Sequence, residues 1–117
     1  MSERRGIVLL DNRDCGLIEE TENGYRFQYL REFLTNPDPR AISLTLPCRA
    51  EPYEAEQLFP FFSGLLAEGT LREIQCRTHQ IDENDDFGLL LKTAGGDVIG
   101  AVTVRRLEPW SPSVSRP

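Results

Sequence analysis

The sequence predicts an α+β fold, a small single domain with an antiparallel sheet of four N-terminal strands and one C-terminal strand. About three helices are inserted before the last strand. Three observations predict it. Short runs rich in β-branched and aromatic residues, separated by turn-forming residues, fill the first third of the chain. Apolar residues at helical spacing fill residues 52–94. A last β-rich run, VIGAVTVR, follows Gly95-Gly96.

Taken in order, Ile7 to Leu10, Cys15 to Glu19 and Tyr25 to Leu30 read as a three-stranded meander. Its turns are Asp11-Asn12-Arg13-Asp14 and Glu22-Asn23-Gly24. In the third strand Tyr25, Phe27 and Tyr29 share one face and Arg26 and Gln28 the other, as in a sheet with one wet side. Asn36-Pro37-Asp38-Pro39 is a loop, because each proline removes a donor and restricts its predecessor. Ile42, Leu44 and Leu46 alternate with Ser43 and Thr45, which predicts a fourth strand ended by Pro47.

Pro52 to about Gly69 then has helical period. Leu58, Phe61, Phe62, Leu65 and Leu66 fall on one apolar face, with Phe59 off it. Further helices are expected from Leu71 to about His79, and from Asp85 or Asp86 onward, where Phe87, Leu90, Leu91 and Ala94 share a face closed by Gly95-Gly96. Val98 to Arg105 is the last strand, with Gly100 marking a bulge or close approach. The organisation is one domain over residues 1–107 and a flexible Pro/Ser-rich tail over 108–117.

A chain of 117 residues suits a single core. Its net charge of −6 argues against direct nucleic-acid binding, which needs a basic face. The adjacent basic pairs Arg4-Arg5 and Arg105-Arg106 read as solvated termini. Cys15, Cys48 and Cys76 are odd in number and widely spaced, which suits a reducing cytoplasm and no zinc site. MSERRGIVLL has too short an apolar run for a signal peptide or a membrane anchor.

No catalytic constellation is expected. Asp86-Phe87-Gly88 spells the magnesium-binding DFG of protein kinases, but the glycine-rich loop, strand lysine and catalytic-loop Asp and Asn are missing. The reading for this string is an Asp85 or Asp86 helix cap with Phe87 packed inward. His79 stands alone near a helix C-terminus, where the macrodipole favours a cation. Asp82-Glu83-Asn84-Asp85-Asp86 lacks calcium-loop spacing and reads as helix-entry charge. Gly95-Gly96-Asp97 and Gly100 make no dinucleotide fingerprint. The expectation is no enzyme, no cofactor, no metal and a function exerted by surface contact.

Several blocks then stand in a specific order: Cys15-Gly16-Leu17, the Tyr25 to Tyr29 strand, Ile42-Ser43-Leu44-Thr45-Leu46-Pro47, Leu58 to Gly69, Phe87-Gly88-Leu89-Leu90 and Val98 to Val104. In this order they resemble the N-terminal subdomain of the HipA family of serine/threonine kinase toxins, from about Gly6 to Val104. The resemblance implies the split, three-gene version of that system. There a small HipS-like protein is the antitoxin that binds and neutralises a separately encoded HipA-like kinase, HipT. A helix-turn-helix DNA-binding protein, HipB, accompanies them.

The same resemblance makes Ala67, Glu68, Gly69, Thr70 and Leu71 the candidate surface presented to the kinase. Two positions depart from the family's pattern, with Thr70 where such relatives place a large aromatic and Ala67 where a proline is usual. Trp110 in the tail is a second candidate anchor, since aromatics are enriched at interface hot spots. The alternative function is a non-inhibitory accessory subunit that completes the kinase's N-terminal lobe or aids substrate recruitment.

Overall fold

The computed structural model describes residues 4–93 and 102–107. Strands β1 (Arg5–Leu10), β2 (Arg13–Glu20) and β3 (Tyr25–Tyr29) form the expected meander. The first turn is tighter than the sequence reading, with only Asp11 and Asn12 between strands. Both adopt positive φ, 52° and 67°, the left-handed pair that suits a two-residue hairpin. Val8 pairs with Gly16 and Leu9 with Asp14, which leaves Cys15 as the extra residue of a β-bulge. The bulge explains why Cys15 and Gly16 are both buried although neighbours in a strand normally face opposite ways. A Cβ on Gly16 would stand 2.6 Å from the Phe27 ring, so glycine is required for that close approach.

After β3 the chain makes one helical turn, α1 (Arg31–Leu34), which sequence periodicity does not reveal. Its Phe33 stacks on Tyr29 with ring centroids 5.8 Å apart.

The expected strand over Ile42 to Leu46 is instead a tight turn. Ile42 and Leu46 are buried, but Leu44 between them is 100% exposed. The Leu46 N–H donates to the Ser43 carbonyl at 3.0 Å, and Ser43 Oγ accepts from the Thr45 N–H at 3.1 Å. A hydroxyl that satisfies a nearby backbone donor competes with a sheet ladder, and that local bond turns the alternating pattern back on itself. The fourth strand is β4 (Tyr53–Ala55), which pairs antiparallel with Tyr25 to Phe27 of β3.

The long helix expected over residues 52–69 is therefore also corrected. The helical part is α2 (Pro60–Ser63), a single turn that begins at Pro60, where a missing N–H costs nothing. Leu65 and Leu66 continue it with i→i−3 bonds to Phe62 and Ser63. Because the helix starts after Phe59, that residue is not on an outer face. It turns inward and is buried with Leu58, Phe62 and Leu66.

Helices α3 (Gly69–His79) and α4 (Asp86–Thr93) follow, and β5 (Val102–Leu107) closes the chain's path. The sheet is five-stranded and antiparallel, in the order β4-β3-β2-β1-β5. Three helices lie between the fourth and fifth strands, as the α+β reading expects. Val8 pairs with Val104 beneath the helices, and both are fully buried. Phe27 of β3 meets Phe62 of α2 at 5.5 Å, and Tyr25 meets Phe87 of α4 edge-on at 5.5 Å. Those contacts join sheet and helices into one core. The expected Gly95-Gly96 helix stop, the start of the last strand, the Gly100 bulge, Ala94 and the tail with Trp110 lie outside the described residues.

The Arg4-Arg5 pair is not a solvated terminus, whereas Arg105 and Arg106 stand exposed on β5. Arg4 donates to Glu20 at 3.0 and 2.9 Å and to Asp85 at 2.8 and 3.0 Å, and its guanidinium lies 5.5 Å from the centre of the Phe87 ring. It thus ties β1, β2 and the entry of α4 together. Arg105 lies within β5, 3.9 Å from Asp14.

Hydrogen bonds from Arg4 hold the carboxyls of Glu20 and Asp85 below their ordinary range, and the Gly88 N–H adds to the effect at Asp85. A depressed folded-state value means that this stabilisation is complete above the unfolded-state values of about 4. It is lost as pH falls through the lower folded-state values. Arg4→Met is expected to lower stability at neutral pH and to flatten its dependence on pH between about 5 and about 2, checked by urea unfolding across that range.

Candidate protein-interaction surface

The segment Ala67 to Leu71 is pinned at both ends. Leu66 before it is buried, Ala67 is half-buried, and the chain then emerges through extended Glu68 (φ −129°, ψ 165°). Gly69 has φ +65°, a conformation that suits glycine, and a Cβ there would meet nothing within 4 Å. The demand at this position is conformational and not steric. Glu68, Gly69, Thr70 and Leu71 are exposed. The expected loop is shorter than its sequence reading, because Gly69, Thr70 and Leu71 already form the first turn of α3.

Helix α3 is held on its inner side by the buried Cys76 and by Arg72. The Arg72 guanidinium donates to Asp86 Oδ1 at 2.5 Å and to the Glu83 carbonyl at 2.7 Å. The helix ends as expected at His79, with Gln80 as a left-handed cap whose φ is 58°. Its outer side carries Leu71 and Ile74, 56% and 49% exposed. Sequence reasoning did not single out Ile74. The signal was present in GTLREIQCRTH, where Leu71 and Ile74 lie three apart and Cys76 falls on the other side of a 3.6-residue helix.

The other motifs resolve into packing. Asp85 caps α4, its Oδ1 accepting from the Gly88 N–H at 3.1 Å. Asp86 pairs with Arg72, Phe87 is fully buried, and a Cβ on Gly88 would lie 2.3 Å from the Asp85 carboxylate. The kinase-like Asp-Phe-Gly string is thus the entry of a core helix. Asp82 accepts from the Asn84 N–H at 2.8 Å, a local turn within the acidic run. Burial pushes the Cys15 thiol up to about 12 and the Tyr29 hydroxyl upward as well, so both stay protonated. The Tyr29 hydroxyl has structural partners in the Ile42 N–H and the Leu46 carbonyl, and the Cys15 thiol is simply buried in the core. Among the described residues no group of His, Cys, Asp and Glu is placed to hold a metal ion. A groove of about 500 Å³ between the β2–β3 turn and β4 presents Glu22, Glu54 and Glu56 beside Arg26.

Comparison with known proteins places this architecture. The model of the HipA N-terminal domain matches residues 6–105. The chain belongs to the HipA N-terminal domain family. A solved N-terminal domain of HipA toxin is similar in structure, with a TM-score of 0.64 and 31% identity. The match covers 92% of this chain and 95% of that one.

A protein of Haemophilus influenzae, of uncharacterised function, is 36% identical over 104 residues, covering 87% of this chain and 92% of that protein. The putative kinase Y4mE of Sinorhizobium fredii is 34% identical over 96 residues. There 81% of this chain matches only 23% of the relative's length. The matched family is the N-terminal domain of HipA, and no catalytic kinase domain is evident in the matched region. Among the described residues no helix is long and apolar enough to cross a membrane.

Proposed function

We propose that the protein is a HipS-like antitoxin that binds a separately encoded HipA-like serine/threonine kinase toxin, HipT, and neutralises it by protein–protein contact in the cytoplasm. The observation that carries this reading is how the family is distributed. The same domain accounts for nearly all of the Haemophilus protein and for under a quarter of the rhizobial putative kinase. A unit that occurs both within a kinase chain and without one is suited to docking on a kinase body from outside. Segment 67–71, pinned and exposed, is the surface proposed to meet it. In this reading a helix-turn-helix protein, HipB, supplies the DNA contact for which a chain of net charge −6 is unsuited.

The exposed Thr70 favours one second reading, a non-inhibitory accessory subunit, because a small side chain gives little area with which to block a cleft. The two readings predict opposite signs. With the purified kinase, equimolar addition of this protein is expected to lower autophosphorylation roughly tenfold or more, the effect of about 1.4 kcal/mol of coupling. Co-expression is expected to restore growth. Unchanged or increased kinase activity would replace the antitoxin with the accessory subunit.

A further inference from the structure

We propose that the open face of the sheet is the docking site for this chain's own segment 108–117, which lays Trp110 over Ile7 and Leu17. The contact is within one chain and does not depend on the proposed kinase partner.

The sheet registers fix which side chains share that face. Val8 opposes Val104 and Ile18 opposes Phe27, all fully buried beneath the helices. Their neighbours along each strand therefore point the other way. Ile7 stands between Leu17 of β2 and Arg105 of β5, Leu9 lies two residues along β1, and Leu107 is opposite Arg5. Ile7, Leu9, Leu17 and Leu107 are half-buried, yet none packs against the core that the helices cover. A face expected to be wet thus carries an apolar strip across β2, β1 and β5.

Charge on this face is already balanced. Beside the strip Arg26 lies 3.4 Å from Glu19 and 3.5 Å from Glu54, and Arg105 lies 3.9 Å from Asp14. The face therefore fits an occupant that is small, apolar and without net charge. Segment 108–117 carries one Glu and one Arg and holds the chain's single tryptophan. A tryptophan buries about 150–250 Å², the scale that four half-buried aliphatic side chains can cover. A stable contact with another protein takes about 800 Å² from each side, more than this strip offers.

Reach and direction agree with the assignment. Leu107 ends β5 with its side chain on this face, and Ile7 is one strand across and two residues along. At about 4.8 Å between strands and about 3.4 Å per residue, Ile7 is about 8 Å from Leu107 and Leu17 about 12 Å. The three residues from Leu107 to Trp110 span up to about 10 Å, and the indole extends further. Pro109 has no N–H with which to continue the ladder to β1, and it suits the second position of a β-turn. The segment thus leaves the strand and can return over the face.

With one tryptophan in the chain, fluorescence reads the contact directly. Wild type is expected to emit to the blue of a synthetic peptide of residues 107–117 and to resist acrylamide quenching, at every protein concentration. Ile7→Thr/Leu17→Thr keeps strand-forming residues in β1 and β2 and is expected to return both readouts to the peptide's values. Leu71→Ser, on α3, is expected to leave them as in wild type. Trp110→Ser, which alters no residue of the sheet, is expected to shift the methyl resonances of Ile7 and Leu17 and to leave those of Val8 and Ile18 in place.

Peptide-like emission in wild type, or methyl resonances of Ile7 and Leu17 that Trp110→Ser leaves unmoved, would overturn the proposal. A blue shift that appears only as concentration rises would assign the face to a second copy and overturn it equally.

Discussion

Phe62→Ala is expected to lower the stability of the domain by about 3–5 kcal/mol, the range for removing a fully buried phenylalanine ring. Phe62 is fully buried and has ring partners on every side. Phe27 of β3 is at 5.5 Å, Phe61 at 5.2 Å and Phe59 at 6.3 Å. The loss has two parts, the transfer of the ring out of water and the cavity left between sheet and α2. Helix α2 has only one turn and cannot slide to fill that cavity without losing Pro60 as its first residue. Small domains have total stabilities of about 5–15 kcal/mol, so the loss is a large fraction of the whole. Urea unfolding at constant m-value checks it. A loss below about 1 kcal/mol would mean that the aromatic cluster closes over the gap.

Phe62 also shows how far the sequence could be read. Its burial follows from apolar spacing alone, and so does that of Leu58 and Leu66. The burial of Phe59 does not follow, because it depends on where the helix begins. Periodicity over residues 58–66 is compatible with a long helix, whereas Pro60 confines the helix to the turn that it starts. The meander is legible because each strand carries its alternation and its turn residues together, as with Asn12 and Gly24. The Cys15 bulge is not legible, since an extra residue in a strand leaves no pattern when only one chain is read.

The candidate surface was legible in part. Glu68-Gly69 announces a change of direction, and Gly69 at φ +65° is the reason a glycine stands there. That the helix starts at Gly69 and displays Leu71 and Ile74 required knowing that α4 covers the Cys76 side. Arg4 was misread for a related reason. Its partners Glu20 and Asp85 are distant in sequence, and only the closing of β1 against β2 and α4 brings them together.

The largest misreading, a fourth strand at Ile42 to Leu46, leads to the second prediction. Tyr29→Phe is expected to cost about 2–4 kcal/mol and to free the turn that displays Leu44. The Tyr29 hydroxyl accepts from the Ile42 N–H at 3.1 Å and donates to the Leu46 carbonyl, holding both ends of the turn at once. Ile42 and Leu46 are buried, so loss of the hydroxyl strands two backbone groups away from water, each at about 1–3 kcal/mol. Phenylalanine keeps the stacking on Phe33 and the edge contact with Phe27 at 4.9 Å, so the variant isolates the hydroxyl.

Two measurements separate this from a general loosening of the core. Amide exchange at Ile42 should accelerate far more than at Val8 or Ile18, which lie in the sheet. Burial raises the hydroxyl's ionisation above its unfolded-state value of about 10. The stability that Tyr29 contributes is therefore present below that pH and is lost as pH rises through the folded-state value. Wild type should lose that increment at high pH, and Tyr29→Phe should not. A variant with wild-type stability and wild-type exchange at Ile42 would show that Ser43 and the Leu46 N–H close the turn alone. The alternating Ile-Ser-Leu-Thr-Leu pattern would then owe its reversal to the local hydroxyl bond and not to the buried tyrosine beneath it.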